Sequence, residues 1–182
     1  EGLPLITLQG SPLYGWNLVI KRVLDVVGAS AALVVFSPVL CAIAALVKLT
    51  SPGPVFFRQL RMGLDGQAFE MLKFRSMKLD AESETGPVWT QPNDDRRTPI
   101  GAFLRRTSLD ELPQFWNVLR GEMSIVGPRP ERPEFIARFR ETLPQYMLRH
   151  KMKAGITGWA QINGWRGNTS LERRIEHDLY YI

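Results

Sequence analysis

The stretch "NLVIKRVLDVVGASAALVVFSPVLCAIAALVKL", residues 17–49, limits the fold more than any other, because no residue between Val26 and Val47 is charged. Its length matches the ~20 apolar residues that cross a bilayer core. Ser37 and Pro38 interrupt it near the middle, where proline removes a backbone hydrogen bond and its ring clashes with the preceding turn. Lys21 and Arg22 before the run, with Lys48, Arg58 and Arg61 after it, make both flanks basic, whereas a single crossing favours basic residues on one side. A helix-break-helix that enters one leaflet and returns accounts for both features, a serine hydroxyl and packing healing the break. A proline-kinked span and the buried central helix of a soluble bundle stay open on these grounds. Asp25 is placed to pair with Lys21 or Arg22 on the preceding turn, a structural contact.

Length and charge bound the rest. The 182 residues are the size of one ordinary domain. A net charge of +5 and a pI near 9.7 favour anionic partners: nucleic acid, phospholipid headgroups or phosphorylated small molecules. One cysteine, Cys41, and two scattered histidines, His150 and His177, leave no material for a disulfide framework or a zinc cluster. Residues 1–16, rich in Pro and Gly, read as a lead-in from a preceding region of a longer protein, and no signal peptide of the usual kind is visible.

Beyond the apolar run, Val55 to Phe57 and Phe69 to Phe74 flank "GLDG", which predicts a β-hairpin ending in Lys73 and Arg75 on one strand face. Residues 79–101 read as a loop, a candidate mobile lid. From Phe103 to Arg120 the pattern is helical, and Gly121 supplies the stop. "MSIVG" predicts a short strand leading into the proline-framed turn Pro128-Arg129-Pro130. Residues 134–151 place Phe135, Phe139, Leu143 and Met147 at helical spacing, on a core or on a membrane surface. Trp159 and Trp165 suit either setting.

Within the helical stretch, "LRRTSLDELPQF" (residues 104–115) carries adjacent carboxylates, Asp110 and Glu111. A capping role is available in two registers. Ser108 as N-cap makes Glu111 the partner of a capping box but puts Pro113 inside the helix, whereas Asp110 as N-cap puts Pro113 in the first turn. A chemical role is available too. Asp110 is ionised at neutral pH from its reference pKa of about 3.9. To attack phosphorus it needs its repulsion from a diphosphate cancelled, for which Lys73, Arg75, Arg105, Arg106 and Arg129 are candidates. Mg²⁺ is commonly held by one or two carboxylates plus substrate phosphates, so Glu111 suffices as its protein anchor. No Walker A or G-x-G-x-x-G pattern is present.

Taken in order, "KRVLD", "SP", "SPGPVFFRQLRMGLDG", "KFRSM", "GAFLRRTSLDELPQFWNVLRGEMSIVGPRP" and "KAGITGWAQINGWRG" resemble the catalytic domain of the monotopic polyprenyl-phosphate phosphoglycosyl transferases, the bacterial sugar transferase family. The similarity runs from about Asn17 to the end, and "RPERPEF" with "GWRGNTSLERRI" is most like the undecaprenyl-phosphate glucose phosphotransferase branch. The resemblance implies an enzyme that passes a hexose 1-phosphate, glucose or galactose, from a UDP-sugar to undecaprenyl phosphate, with UMP release. It implies a place at the cytoplasmic face of the bacterial inner membrane, and a start to exopolysaccharide, capsule or O-antigen synthesis. It further implies that Asp110 forms an aspartyl-phosphosugar, Glu111 holds Mg²⁺, Lys73 and Arg105 handle phosphate, Pro128, Arg129 and Pro130 contact the nucleotide, and Ser37-Pro38 breaks a re-entrant membrane helix. Gln67 and Glu122 depart from residues common in that family and lie outside this chemistry.

The expected architecture is α+β and mostly helical: a re-entrant membrane helix at residues 17–50, amphipathic interfacial helices and a small hairpin. Residues 51–182 form a cytoplasmic-face catalytic domain, and residues 17–182 one functional unit. Membrane lipids are expected partners and nucleic acid is not; a homo-oligomer stays open. The alternative is a non-catalytic membrane-anchored scaffold whose basic surface binds anionic lipid.

Overall fold

In the computed structural model, residues 15–79, 81, 86, 94–167 and 169–182 are described. Residues 1–14 of the lead-in and most of the candidate lid lie outside them; the last residue of the lead-in, Trp16, already belongs to the first helix. The apolar run forms two helices, α1 (Trp16–Val35) and α2 (Ser37–Thr50), bent by 61°. The break forms as the sequence predicts. Pro38 falls in the first turn of a new helix, where a missing N–H goes unused, and the Ser37 hydroxyl donates to Val34 O at 2.8 Å. Neither helix alone is long and apolar enough to cross a membrane, whereas the bent pair together meets that length and composition.

Both arms of the pair return to one globular body. Ala29 packs with Met71, Val118 and Met123, while Ile43 and Val47 pack with Phe74 and Leu104. Each large apolar side chain so buried contributes roughly 1.5–3 kcal/mol. Near the apex Val34, Val35, Phe36 and Val39 stay exposed. Asp25 pairs with Lys21 at 3.6 Å and also accepts from Ile125 N and Ser124 Oγ, so the contact expected within α1 also docks α1 on the body. Arg22 donates to Val118 O and Leu119 O.

The hairpin is β1 (Phe56–Met62) and β2 (Ala68–Phe74), antiparallel with Phe57 opposite Lys73. Regular strand ends at Phe74, so alternation stops before Arg75 and the expected shared face of Lys73 and Arg75 does not form. The buried Arg75 instead donates to Ser51 O, Ser51 Oγ and Pro52 O, fastening the exit of α2. A second sheet pairs β3 (Ser124–Val126) with β4 (Gly155–Thr157) in parallel. At Gly155 the two segments approach so closely that a Cβ would collide with Gly127 N, which excludes any larger residue.

Two expected helices are broken. The stretch from Phe103 to Arg120 divides into α3 (Pro99–Thr107), a 3₁₀ turn (Leu109–Glu111) and α4 (Gln114–Arg120). Ser108 sits between them in the left-handed region at φ 57°. Neither capping register is realised, because Ser108 makes no capping hydrogen bond, Asp110 lies inside the 3₁₀ turn, and Pro113 stands at the N-cap of α4. Gly121 does end α4, at φ 85°. Residues 134–151 divide at Leu143, extended because Pro144 disfavours helix in its predecessor. The pieces are α5 (Pro133–Thr142) and a 3₁₀ segment (Pro144–Lys151). Their apolar positions Phe139, Leu143 and Met147 pack on the core of Ile136, Tyr146 and Ile175. That core also receives α7 (Leu171–Tyr181), which follows the short α6 (Trp159–Ile162).

Candidate active site

The break at Ser108 brings the carboxylates inward: the 3₁₀ turn buries Asp110 and Glu111, at 5% and 7% exposure. Glu111 Oε1 receives Lys73 Nζ at 2.9 Å from β2 and Arg129 Nη2 at 2.7 Å from the turn after β3. Arg129 Nη1 reaches Oε2 at 3.3 Å, and Arg166 Nη2 lies 3.8 Å from Oε1. Three cations from three distant segments thus converge on one carboxylate.

Arg129 is itself held on several sides. Its Nη1 donates to Gln161 Oε1 at 2.8 Å, and Gln161 in turn donates to Ile156 O. The fully buried Arg149 donates to Arg129 O at 2.9 Å while pairing with Asp178 of α7 at 2.6 Å. Pro128 O accepts from Gly155 N, and Pro130 O accepts from Arg61. Glu131 pairs with Arg174 of α7 at 2.8 Å. The proline frame of the sequence is therefore a rigid mount for Arg129.

Burial and charge set the protonation states. Burial opposes ionisation of Glu111, but Lys73 and Arg129, by charge and hydrogen bonds, hold its pKa far below the usual carboxylate range. For Lys73 burial wins over Glu111 and brings the ammonium down to about 8. Burial also raises the Asp110 pKa, opposed by Lys73 and reinforced by Glu111, with Arg105 a further opposing charge. Burial thus makes Asp110 harder to ionise than its reference value implies, while Lys73 and Arg105 favour the carboxylate. Arg105 acts on Asp110 electrostatically from α3. Arg106 is exposed on α3 and Arg75 is turned to Ser51 and Pro52, so neither joins the cluster.

A cavity of about 350 Å³ opens beside Glu111, with Ser108, Thr157, Gln161 and Arg166 on its polar side and Leu112 and Phe115 on its apolar side. Gln161 and Arg166 lay inside "GWAQINGWRG" without being singled out as site residues. Among the described residues no group of three or more Asp, Glu, His or Cys side chains converges. Glu111 would be the protein anchor of a hard cation of the Mg²⁺ kind, which takes one or two carboxylates and completes its sphere with phosphate and water. Glu111 Oε2 has only the long Arg129 contact, and Asp110 has no ion pair among the described residues.

Fold and site define a domain built around one buried carboxylate pair ringed by cations beside a bent apolar helix. The family model described as bacterial sugar transferase matches residues 16–182, and the chain belongs to that family. It is 55% identical, over its whole length, to the UDP-glucose:undecaprenyl-phosphate glucose-1-phosphate transferase of Escherichia coli (strain K12), and 52% identical to that of Klebsiella pneumoniae. In each case it covers 40% of the relative. It is also 45% identical to the UDP-N-acetylgalactosamine-undecaprenyl-phosphate N-acetylgalactosaminephosphotransferase of Aeromonas hydrophila, with 97% of this chain and 41% of that protein aligned. The chain thus spans about two fifths of the length of these curated relatives.

Proposed function

We propose that this chain is the catalytic unit of an enzyme that transfers a hexose 1-phosphate from a UDP-sugar to undecaprenyl phosphate, releasing UMP. The observation that carries the reading is the convergence of Lys73 and Arg129 on Glu111, directly beside the buried Asp110. The relatives' names supply the substrate class. They differ in the sugar, and glucose or galactose is taken here from the resemblance to the glucose branch.

In the first half-reaction an Asp110 carboxylate oxygen attacks the β-phosphorus of the UDP-sugar. The new bond makes an aspartyl-phosphosugar, and the bond from that phosphorus to the bridging oxygen breaks, its electron pair leaving with UMP. In the second, an oxygen of undecaprenyl phosphate attacks the same phosphorus and Asp110 departs as carboxylate. Lys73, Arg105 and Arg129 oppose the charge of the diphosphate, the work that preorganised donors perform best in a site sheltered from water. Arg129, framed by Pro128 and Pro130, also faces the nucleotide. Glu111 would hold Mg²⁺, which when bound would supply further neutralisation of phosphate charge.

The bent pair α1–α2 enters and leaves the cytoplasmic leaflet of the inner membrane on the same side. Both arms packing on one body, with an exposed apolar apex, supports this reading. The product lipid would start exopolysaccharide, capsule or O-antigen assembly. UMP release measured with a panel of UDP-sugars, Mg²⁺ and undecaprenyl phosphate tests the whole. Release with at least one sugar is expected, and lipid binding with no release from any of them would favour a scaffold.

A further inference from the structure

Lys73 and Glu111 belong to different elements, and one side chain bridges those elements. Asn117 of α4 is 1% exposed. Its Nδ2 donates to Glu70 O at 2.7 Å and its Oδ1 accepts from Leu72 N at 3.0 Å. The hairpin has only two strands, so β2 has an open edge. An acceptor at one residue and a donor two residues later is the pattern that one residue of a parallel neighbour satisfies. The Asn117 amide supplies that neighbour from a helix.

The amide cannot turn over. Nδ2 also donates to Glu122 Oε2 at 2.7 Å, so a flipped carboxamide would set its oxygen against both Glu70 O and a carboxylate. Glu122 is fixed in turn by its own N–H to Asn117 O at 3.0 Å and by Arg120 at 3.4 Å. Lys73 is the residue after Leu72, and Glu111 lies in the turn that leads into α4. The bridge therefore joins the strand of one partner to the helix that follows the other, next to their 2.9 Å contact.

We propose that Asn117, braced by Glu122, is a positioning residue that sets Lys73 against Glu111 for phosphosugar transfer; this rests on the transferase reading above. Glu122, a departure that looked remote from the chemistry, is part of the device. The catalytic contact is not made by Asn117 itself. It acts through the placement of Lys73.

The test measures UMP release by the full-length membrane protein with UDP-glucose, Mg²⁺ and undecaprenyl phosphate, together with the melting temperature of each variant. Asn117→Ala is expected to lower kcat by roughly 10- to 100-fold, the scale of a small misplacement at a reacting centre, while KM for the donor changes by less than about threefold. In a Lys73→Arg background the same substitution is expected to cost much less, because the contact it maintains is already altered. Parent-like turnover of Asn117→Ala overturns the proposal, and so does a loss that multiplies in full with that of Lys73→Arg. Should Asn117→Ala fail to fold, Glu122→Gln decides: a partial loss that shrinks in the Lys73→Arg background supports the device, and unchanged kinetics overturns it. A parent protein that releases no UMP from any UDP-sugar sinks the transferase reading and this inference with it, a result distinct from an active parent with an equally active Asn117→Ala.

Discussion

Lys73 Nζ donates to Glu111 Oε1 at 2.9 Å, joining the end of the hairpin to the turn that carries both buried carboxylates. Glu111 is buried and Lys73 partly so, and the lysine is the member whose charge is at risk. Its pKa is brought down to about 8 by burial, against the pull of Glu111.

A pH–rate profile follows from that shift. Below about 8 the ammonium is present and opposes phosphate charge; above it the proton is lost, so turnover is expected to fall on the alkaline side with a midpoint near 8. Lys73→Arg keeps its charge throughout the range, and the alkaline limb should disappear even if the plateau is lower. An unchanged limb in Lys73→Arg would assign the titration to another group.

Glu111→Gln removes the charge that Lys73 and Arg129 share. The two partly buried cations then lose their nearest counter-charge and keep only the more distant Asp110, so a lower melting temperature and a loss of turnover of roughly 100-fold or more are expected. Because Glu111 is the larger of the two charges, with Asp110, that raise the Lys73 pKa, the remaining alkaline limb should move to lower pH. A limb that stays in place would contradict the coupling.

The pair Arg149–Asp178, at 2.6 Å and with both side chains at most 2% exposed, ties α7 to the backbone of Arg129. Asp178→Ala leaves a buried guanidinium uncompensated and should destabilise the fold by about 3–5 kcal/mol. Arg149→Met combined with Asp178→Leu removes both charges and should restore most of that stability. Chemical denaturation of the three proteins reads both effects.

Re-entry predicts the side on which each end of the apolar run emerges. Cys41 is exposed on α2, so it is first replaced by Ser. Ile20→Cys and Thr50→Cys, each in that background, should then react with an impermeant thiol reagent from the same face of sealed inner-membrane vesicles. Labelling from opposite faces would establish a kinked crossing instead.

The sequence displayed some of this directly and concealed the rest. The Ser37-Pro38 break and the hairpin are local, written in hydrophobic runs and turn residues within a few positions, and both formed where expected. Lys73, Arg129 and the carboxylates were identifiable as chemistry-bearing residues, though not their common meeting point. The pairing of β3 with β4 joins two three-residue strands far apart in the chain, too short for any periodicity to reveal. The left-handed Ser108 was hidden because serine rarely takes that conformation, and with it went the inward turn that buries Asp110. Arg75 was misread because alternation was carried one residue past the end of its strand. Gln161, Arg166 and Arg149 act through partners distant in the chain, which no local pattern records.

The central claim is that Asp110 carries the sugar phosphate. The protein incubated with UDP-glucose and Mg²⁺, without undecaprenyl phosphate, is digested and its peptides are weighed by mass spectrometry. A hexose-phosphate adduct on the peptide containing Asp110, removed on adding undecaprenyl phosphate and absent from a folded Asp110→Asn variant that releases no UMP, is the predicted result. UMP release by Asp110→Asn at the parent rate, or an adduct on a different residue, would contradict it.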